Sequence, residues 1–302
     1  MITYLQHREI DKTKWNRCIE SSLISNLYAC SWYLDCVCGR WDALVEDDYD
    51  YVMPLPLRRK FNMQYLFLPS MIQQLGIFSS EEITSKKVQE FVNNIPKKIL
   101  YGQINLNHNN PVDKLIIPSQ TQINLELNLN KSYDTLRESY SENLKRNLKK
   151  FSEEKIKVII NHNVENIIQL FIDNKGSELK SLPKDFYHSL RNIVYQLQLR
   201  GHCETWEAYV GQDLHAGIIF AKGFKKFIFL FSATSLKAKE LSVMHYLIDT
   251  FIKANAEKDI VLDFEGSNYP SLYRFYKNFG AEEVNYHQIK INRLPWPLNL
   301  FA

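Results

Sequence analysis

The sequence predicts an α/β protein (α+β, with mixed sheets) built from two tandem domains of one kind. The chain has 302 residues, which is long for a single compact core and comfortable for two domains of about 150 each. Helical and strand-like periodicities follow nearly the same order in both halves. A short hairpin sequence also recurs at the same place in that order.

The first half is predicted to open with two helices. In the first of them, Trp15, Cys18 and Ile19 share one helical face. A hairpin follows, and Pro54 and Pro56 remove two backbone donors, so we expect its return strand to lie partly at a sheet edge. In order, we predict helices over 11–21 and 27–38, hairpin strands over 41–45 and 51–57, extended segments at 65–68 and 74–78, a helix over 82–92 and a strand over 102–107.

The second half opens with a strand over 121–129, in which Ile123, Leu125, Leu127 and Leu129 alternate with polar residues. Apolar residues at steps of three and four predict one long helix over 133–151. The remaining predictions are a strand at 157–160, helices at 164–171 and 186–197, a hairpin of 206–210 and 216–220, a strand at 227–232, a helix at 243–252, a strand at 260–264, a helix at 270–279 and a closing strand at 284–291.

The two predicted hairpins share a sequence pattern. Residues 41–45 read Trp-Asp-Ala-Leu-Val and residues 206–210 read Trp-Glu-Ala-Tyr-Val. The same pattern at the same place in a matching order of elements indicates an internal duplication. We therefore expect a first domain over 1–125 and a second domain over 126–302.

Composition and charge exclude several classes of protein. The net charge of +3 does not by itself demand nucleic acid or an anionic membrane as a partner. The five cysteines form no Cys-x-x-Cys pair and the histidines have no metal spacing, so neither a metal nor a redox cofactor is expected. No apolar run approaches the roughly 20 residues of a membrane span, and no signal peptide is evident, so we expect a cytoplasmic protein.

The order of elements and three local sequences carry a resemblance to a known family. The segments are Phe275 to Ala281, Asp263 to Ser267, and the basic stretch from Ser141 to Lys150. With the hairpin leading to strand, helix, strand, helix and strand, they resemble the GNAT acyltransferase superfamily, in its Fem-like tandem branch. The resemblance implies two GNAT-like domains, the first degenerate and the second carrying the active site.

The resemblance implies a donor site between two strands that splay apart, 227–232 and 260–264. It assigns the acyl donor, acyl-CoA, to Phe231, Ser232, Ala233, Thr234, Ser235, Lys237, Lys239, Leu241 and Ser242. The superfamily has an Arg or Gln and two glycines in this turn, and this chain has no glycine there. Lys237 and Lys239 could compensate in part for the missing cation, and the alternative is an ordinary polar loop before a helix.

Candidate catalytic residues follow the second of these strands. The resemblance makes Tyr276 the acid that protonates the leaving group, and a buried core tyrosine is the alternative. Asp263 and Glu265 flank Phe264 at a strand end, where alternation places both on one face. Glu265 is the preferred base because it lies nearer the strand end. The alternative for Glu265 is a local cap or ion pair. Candidate substrate-binding residues are Ser267, Asn268 and Tyr273.

The predicted function is N-acyl transfer from acyl-CoA to a small-molecule or peptide amine. The resemblance leaves two alternatives, Fem-type aminoacyl transfer from aminoacyl-tRNA and a non-catalytic binding protein that keeps the fold. A tRNA partner is not favoured, because the net charge is small. Lys145, Arg146, Lys149 and Lys150 could contact tRNA phosphates, but an ordinary solvated helix face explains them more simply.

Overall fold

A computed structural model of the chain divides it into two units. The first unit comprises Met1–Gln122 and Asn285–Ala302, and the second comprises Ile123–Val284. The structure describes residues 1–60, 63–113, 118–149, 156–176, 185–240, 242–266 and 268–296, without the side chains of residues 239 and 240. Within these residues, no helix is both long enough and apolar enough to cross a membrane.

The first unit is a mixed sheet with helices packed on it. Its elements in chain order are β1 Ile2–Leu5, α1 Lys12–Ser21, α2 Ser31–Cys38, β2 Trp41–Glu46, β3 Tyr51–Lys60, β4 Met63–Leu66, β5 Phe78–Ser79, α3 Ser85–Asn93, β6 Ile99–Leu106 and β7 Ser119–Gln122. Asp11 caps α1 by accepting hydrogen bonds from the backbone N–H groups of Thr13 and Lys14. The apolar face of α3, with Val88, Phe91 and Val92, packs into the core of this unit.

The second unit is also a mixed sheet with helices. Its elements are β8 Leu125–Asn128, α4 Tyr133–Glu138, α5 Glu142–Lys149, β9 Ile156–Asn161, α6 Glu165–Phe171, a π-helical turn Ile172–Gly176, α7 Phe186–Leu199, β10 Cys203–Val210, β11 Asp213–Gly223, β12 Lys226–Thr234, α8 Leu236–Glu240, α9 Val243–Asn255, β13 Val261–Asp263, α10 Pro270–Lys277 and β14 Glu282–Glu283. The last strand of the chain, β15 Tyr286–Asn292, belongs to the first unit.

Strand order confirms the fold class and the predicted duplication. The first sheet contains the series β1-β2-β3-β4-β6, and the second contains β9-β10-β11-β12-β13. In both series every neighbouring pair is antiparallel except the last, which is parallel. Trp41 on β2 and Trp206 on β10 lie on the second strand of their series, and both are buried. The repeated hairpin sequence therefore occupies equivalent places.

The strands β8 and β15 do not follow the domain boundary that the sequence predicted between residues 125 and 126. The strand β8 follows the first repeat but pairs with β13 in the second sheet. The strand β15 closes the second repeat but pairs with β6 and β7 in the first sheet. The apolar faces explain both placements, because Leu125 and Leu127 enter the second core while Ile289 and Ile291 enter the first. The predicted strand over 121–129 accordingly divides into β7 and β8.

The predicted helix over 133–151 divides into α4 and α5. The backbone N–H of Ser141 donates to the carbonyl oxygen of Asn278 at 2.9 Å, whereas in a continuous helix it would donate to Arg137. The Ser141 hydroxyl then accepts from the N–H of Leu144 and caps α5. This tertiary contact explains the break, which the apolar periodicity of the sequence does not reveal.

Candidate functional site

The strands β12 and β13 separate after a short parallel pairing. Their register covers only Lys226 with Val261, Phe227 with Leu262 and Ile228 with Asp263. The strand β13 ends there, while β12 continues to Thr234. From Phe229 onward, no strand among the described residues pairs with the edge of β12 that faced β13. This is the splayed arrangement that the resemblance to the GNAT superfamily implied for 227–232 and 260–264.

A cavity of about 440 Å³ opens beside this free edge, within the range of about 300–1,000 Å³ typical of ligand pockets. Its walls come from the end of β12, the α8–α9 segment, α10 and the π-helical turn, all in the second unit. The apolar part of the wall includes Phe171, Phe229, Met244, Leu272 and Phe275. An apolar group of modest size therefore fits the cavity sterically and by polarity.

Polar side chains interrupt this apolar wall. Ser232, Thr234, Ser242, His245 and Lys175 all line the cavity. Ser232 and Thr234 pair with Ile218 and Ala216 on the neighbouring strand β11. The side chains of Ile218 and Ala216 lie in the core against which α9 packs. Ser242 has a φ of 55° and precedes α9, so the chain turns sharply between α8 and α9 at the cavity wall.

Tyr276 lies in the cavity wall and is buried. Its ring stacks on Phe264 and meets Phe229 edge-on, with centroids 5.8 Å apart. Burial raises the pKa of the Tyr276 hydroxyl, and the negative charge of Glu265 raises it further. The hydroxyl therefore stays protonated at neutral pH and is a hydrogen-bond donor.

Glu265 follows β13 in an unusual backbone conformation. Its φ is 56°, and the φ of Gly266 is 49°, so two successive residues lie in the left-handed region. A Cβ at Gly266 would overlap the carbonyl oxygen of Ile123, which explains the glycine there. The Glu265 side chain is half-buried, and loss of hydration raises the pKa of its carboxyl group to about 8.

The left-handed turn alters the predicted pairing of Asp263 with Glu265. Strand alternation ends at Asp263, so the alternation from which both carboxylates were expected on one strand face does not extend to Glu265. Asp263 is buried outside the cavity wall, 3.2 Å from Lys226 Nζ, and Lys226 lies 2.7 Å from Glu126. Asp263 also accepts the backbone N–H of Glu265 at 2.8 Å. Asp263 therefore positions the Glu265 turn.

The predicted donor segment divides into residues that line the cavity and residues that do not. Ser232, Ala233, Thr234 and Ser242 line it. Phe231 instead packs on Phe171, with ring centroids 4.9 Å apart, and Lys237 is exposed outside the cavity wall. Leu241 and the side chain of Lys239 lie outside the described residues.

The start of α8 is already capped by protein groups. Ser235 Oγ accepts the N–H of Ala238 at 3.0 Å and bonds His215 Nδ1 at 2.8 Å. Asn174 Oδ1 accepts the N–H of Leu236 at 3.2 Å. Two N–H groups that a phosphate would need at this helix start are therefore occupied. Ser235 thus acts as a cap in this structure.

Two of the three predicted substrate-binding residues, Asn268 and Tyr273, lie away from the cavity wall. The Tyr273 hydroxyl donates a hydrogen bond to Glu283, and Tyr273 lies on a different face of α10 from Leu272, Phe275 and Tyr276. Asn268 is exposed and also lies outside the wall. Ser267 is outside the described residues.

His245 is a cavity residue that the sequence did not identify. Its ring lies 4.7 Å from that of Phe275 and 6.1 Å from that of Phe279. Burial lowers the pKa of His245 below its ordinary value of 6.5, so the imidazole is neutral at neutral pH. Its neighbours in α9 follow an apolar periodicity, and only the packing of α9 against α10 reveals its position. Among the described side chains, no cluster of His, Cys, Asp and Glu could hold a metal ion.

No protein-family model matches this chain, and no curated protein matches it. Solved structures do. FemX aligns with a TM-score of 0.69 at 11% identity, over 99% of each chain. The C-terminal domain of a protein described as a lysylphosphatidylglycerol synthetase from Agrobacterium fabrum has a TM-score of 0.60 at 10% identity, over 96% of this chain and 94% of that one.

A tandem GNAT protein from the clavulanic acid biosynthesis pathway aligns with a TM-score of 0.51 at 9% identity, over 98% of this chain and 99% of that chain. At such low identities these similarities establish the fold alone. The alignments run through both units, in agreement with the repeated strand series. The chain therefore has the tandem GNAT-like fold that FemX and the tandem GNAT protein share.

Proposed function

We propose that the protein is an N-acyltransferase that moves an acyl group from an activated donor to an amine acceptor. The observation that carries this proposal is the position of Tyr276. This residue lines the 440 Å³ cavity together with Phe229, Ser232 and Thr234 of β12. An acyl group in this cavity would lie next to a hydroxyl donor and to free backbone groups.

The β12 edge suits an extended, amide-bearing donor arm. From Phe229 to Thr234 the strand offers N–H and C=O groups on a side where none of the described strands pairs with it, and such an edge binds an extended chain as an added strand. Ser232 and Thr234 add hydroxyl groups, while Phe229 and Met244 add apolar surface. These features support a pantetheine-type thioester, acyl-CoA, as the first candidate donor.

The transfer requires several proton movements. A base takes one proton from the ammonium, and the neutral amine then attacks the carbonyl carbon. The carbon–sulfur bond breaks as an acid protonates the leaving sulfur, and the nitrogen gives up its second proton, which restores the acid. Tyr276 can donate to the leaving sulfur, because its raised pKa keeps the hydroxyl protonated. Glu265 and His245 are both candidates for the base. Glu265 lies close enough to affect Tyr276, and His245 lines the cavity.

A second donor is favoured by specific observations. The capped start of α8 leaves fewer N–H groups for a pyrophosphate. On α5, the side chains of Lys145, Arg146 and Lys149 form one surface with Glu142. An aminoacyl ester of tRNA would place its polynucleotide on such cations and only its 3′ end in the cavity. The Fem-like fold is compatible with this second candidate.

Direct binding measurements separate the candidates. Calorimetry with acetyl-CoA and coenzyme A, and filter binding with aminoacylated and free tRNA over a range of salt, identify the donor. Release of free thiol in the presence of primary amines then tests transfer. Binding of one donor with amine-dependent transfer is the expected result. If neither donor binds, the protein is a non-catalytic member of the fold and the proposal is wrong.

A further inference from the structure

The strand β12 and the helix α10 give the cavity of the second unit two different walls. The strand contributes the hydroxyl groups of Ser232 and Thr234. The helix contributes Leu272, Phe275 and Tyr276, which lie on one helical face because the last two follow Leu272 by three and four residues. A ligand therefore meets hydroxyl groups along the strand and a largely apolar surface along the helix.

The apolar wall continues into the core of the second unit. Phe229 and Met244 line the cavity and are only 6% and 8% exposed, and both belong to the core of this unit. Phe275 packs against the same core. Leu272 is 39% exposed, so the apolar wall reaches solvent at this residue. The cavity thus has a buried apolar part and an apolar rim.

The charge of the wall limits which ligands fit. Among the described residues, no Asp or Glu lines the cavity, and the charged side chain in its wall is that of Lys175, which is exposed on the π-helical turn. Burial lowers the pKa of His245, so its imidazole adds no charge at neutral pH. A cation at the end of an acyl group would lose hydration here without an anionic partner, which is costly. The wall therefore favours an uncharged acyl group.

The cavity is larger than an acetyl group requires. A water molecule occupies about 30 Å³ in the liquid and a methylene group is of similar size, so a cavity of about 440 Å³ holds roughly 15 such groups. If the thioester, the adjoining donor arm and the amine take about half of this space, about seven groups remain for the acyl chain. An acetyl group would leave the apolar part of the cavity unfilled.

We propose that the cavity binds a straight, uncharged acyl chain of about six to eight carbons, and that Leu272 contributes to this selectivity. The carbonyl carbon would lie beside Tyr276, and the chain would contact Met244, Leu272 and Phe275. The inference rests on the acyl transfer proposed above for the chemistry at the carbonyl carbon. Binding of the chain itself is measured without any transfer.

Calorimetry of the full chain with acyl-pantetheine thioesters tests this binding. These molecules carry the acyl chain and the donor arm but lack the pyrophosphate that the capped start of α8 would have to accommodate. The straight chains have two, four, six, eight and twelve carbons. Each buried methylene should strengthen binding about fourfold, so affinity should rise on the order of 100-fold from two to six carbons and level off beyond about eight.

Two charged chains of the same length test the wall. Aminohexanoyl-pantetheine ends in an ammonium and should bind no better than the acetyl compound, because the described wall offers this cation no carboxylate. Adipoyl-pantetheine ends in a carboxylate, and it should also bind more weakly than hexanoyl-pantetheine. If either charged chain binds more tightly than hexanoyl-pantetheine, the inference is overturned.

A leucine substitution tests whether the chain contacts α10. Leu272→Asn should lower the ratio of eight-carbon to two-carbon affinity by about tenfold, since it removes apolar surface from the rim. The matched control is Leu199→Asn on α7, because Leu199 is also exposed and lies outside the cavity wall. The control should keep the wild-type ratio, and thermal melts show that both variants are folded.

The remaining outcomes separate this inference from the proposed function. The inference is overturned if the acetyl compound binds as tightly as the eight-carbon chain, if neither binds, or if the two leucine variants give equal ratios. Release of free thiol with a primary amine is measured separately. Chain-length selectivity without transfer would overturn the proposed function alone, whereas transfer that favours acetyl would overturn this inference alone.

Discussion

The ring of Tyr276 stacks on the ring of Phe264, with centroids 4.7 Å apart and planes 23° from parallel. Phe264 follows directly after β13 and is buried, so the end of the short strand fixes where the tyrosine ring lies. The next residue is Glu265, whose negative charge raises the pKa of Tyr276. The end of β13 therefore positions both the tyrosine ring and the carboxyl group that acts on it.

Removal of the Tyr276 hydroxyl tests its role as proton donor. Tyr276→Phe keeps the ring and therefore its stacking on Phe264. Turnover should fall by about 10²–10⁴-fold, the usual contribution of a positioned acid or base. The melting temperature should change little, since the packing surface is retained. A wild-type rate in the folded variant would make Tyr276 a core residue only.

The pH dependence of kcat/KM distinguishes the two candidate bases. Glu265 acts as a base only when ionised, and the pKa of its carboxyl group is about 8, so activity should rise with pH through about 8. If His245 is the base, activity should rise below pH 6.5, because burial lowers the pKa of that imidazole. Glu265→Gln and His245→Asn should each remove only its own inflection. If the pH profile of kcat/KM is unchanged in both variants, neither Glu265 nor His245 is the base.

Glu265 should also make stability depend on pH. Its folded-state pKa, about 8, lies above the ordinary value of 4.5, so the folded state holds the proton more tightly. The contribution of this group is therefore fully present below pH 4.5 and is lost as pH rises toward about 8. Relative to the wild type, Glu265→Gln should gain stability from pH 5 to pH 9 in urea titrations. A constant difference across this range would contradict the assignment.

Gly266 should be required for the turn that carries Glu265. Gly266→Ala would place a methyl group against the Ile123 carbonyl at a φ of 49°, so we expect a loss of more than about 2 kcal/mol in unfolding free energy. The matched control is Gly211→Ala, where φ is 66° and the added methyl meets open space. The control should cost only about 1 kcal/mol, from the backbone alone. Equal losses in urea unfolding would refute the steric argument.

Charge replacements on two helices should identify the donor. If the donor is tRNA, Lys145→Gln with Lys149→Gln should weaken binding and lower the salt slope by about 2. The same change should leave binding of coenzyme A unaltered. If the donor is a thioester, Lys237→Ala with Lys239→Ala should weaken its binding and leave tRNA unaffected. Identical responses of both pairs would show that neither helix selects the donor.

The sequence alone determined the class and the repeat of this fold. Apolar periodicity located most of the elements, and the repeated Trp-x-Ala-x-Val pattern at Trp41 and Trp206 predicted two related sheets. These features depend on neighbours along the chain, because burial of one face imposes a period of two on strands and 3.6 on helices. The splay of β12 from β13 was also expected, through the resemblance to the superfamily.

Only the tertiary structure decided which sheet each closing strand joins, because β8 and β15 both alternate apolar and polar residues and this pattern does not identify the partner strand. The same holds for the break at Ser141, which depends on the carbonyl of the distant Asn278. At the site, packing placed His245 in the cavity and Asp263 in an ion cluster with Lys226. Local sequence does not encode these partners, since they lie tens of residues away along the chain and meet only when the sheet and its helices assemble.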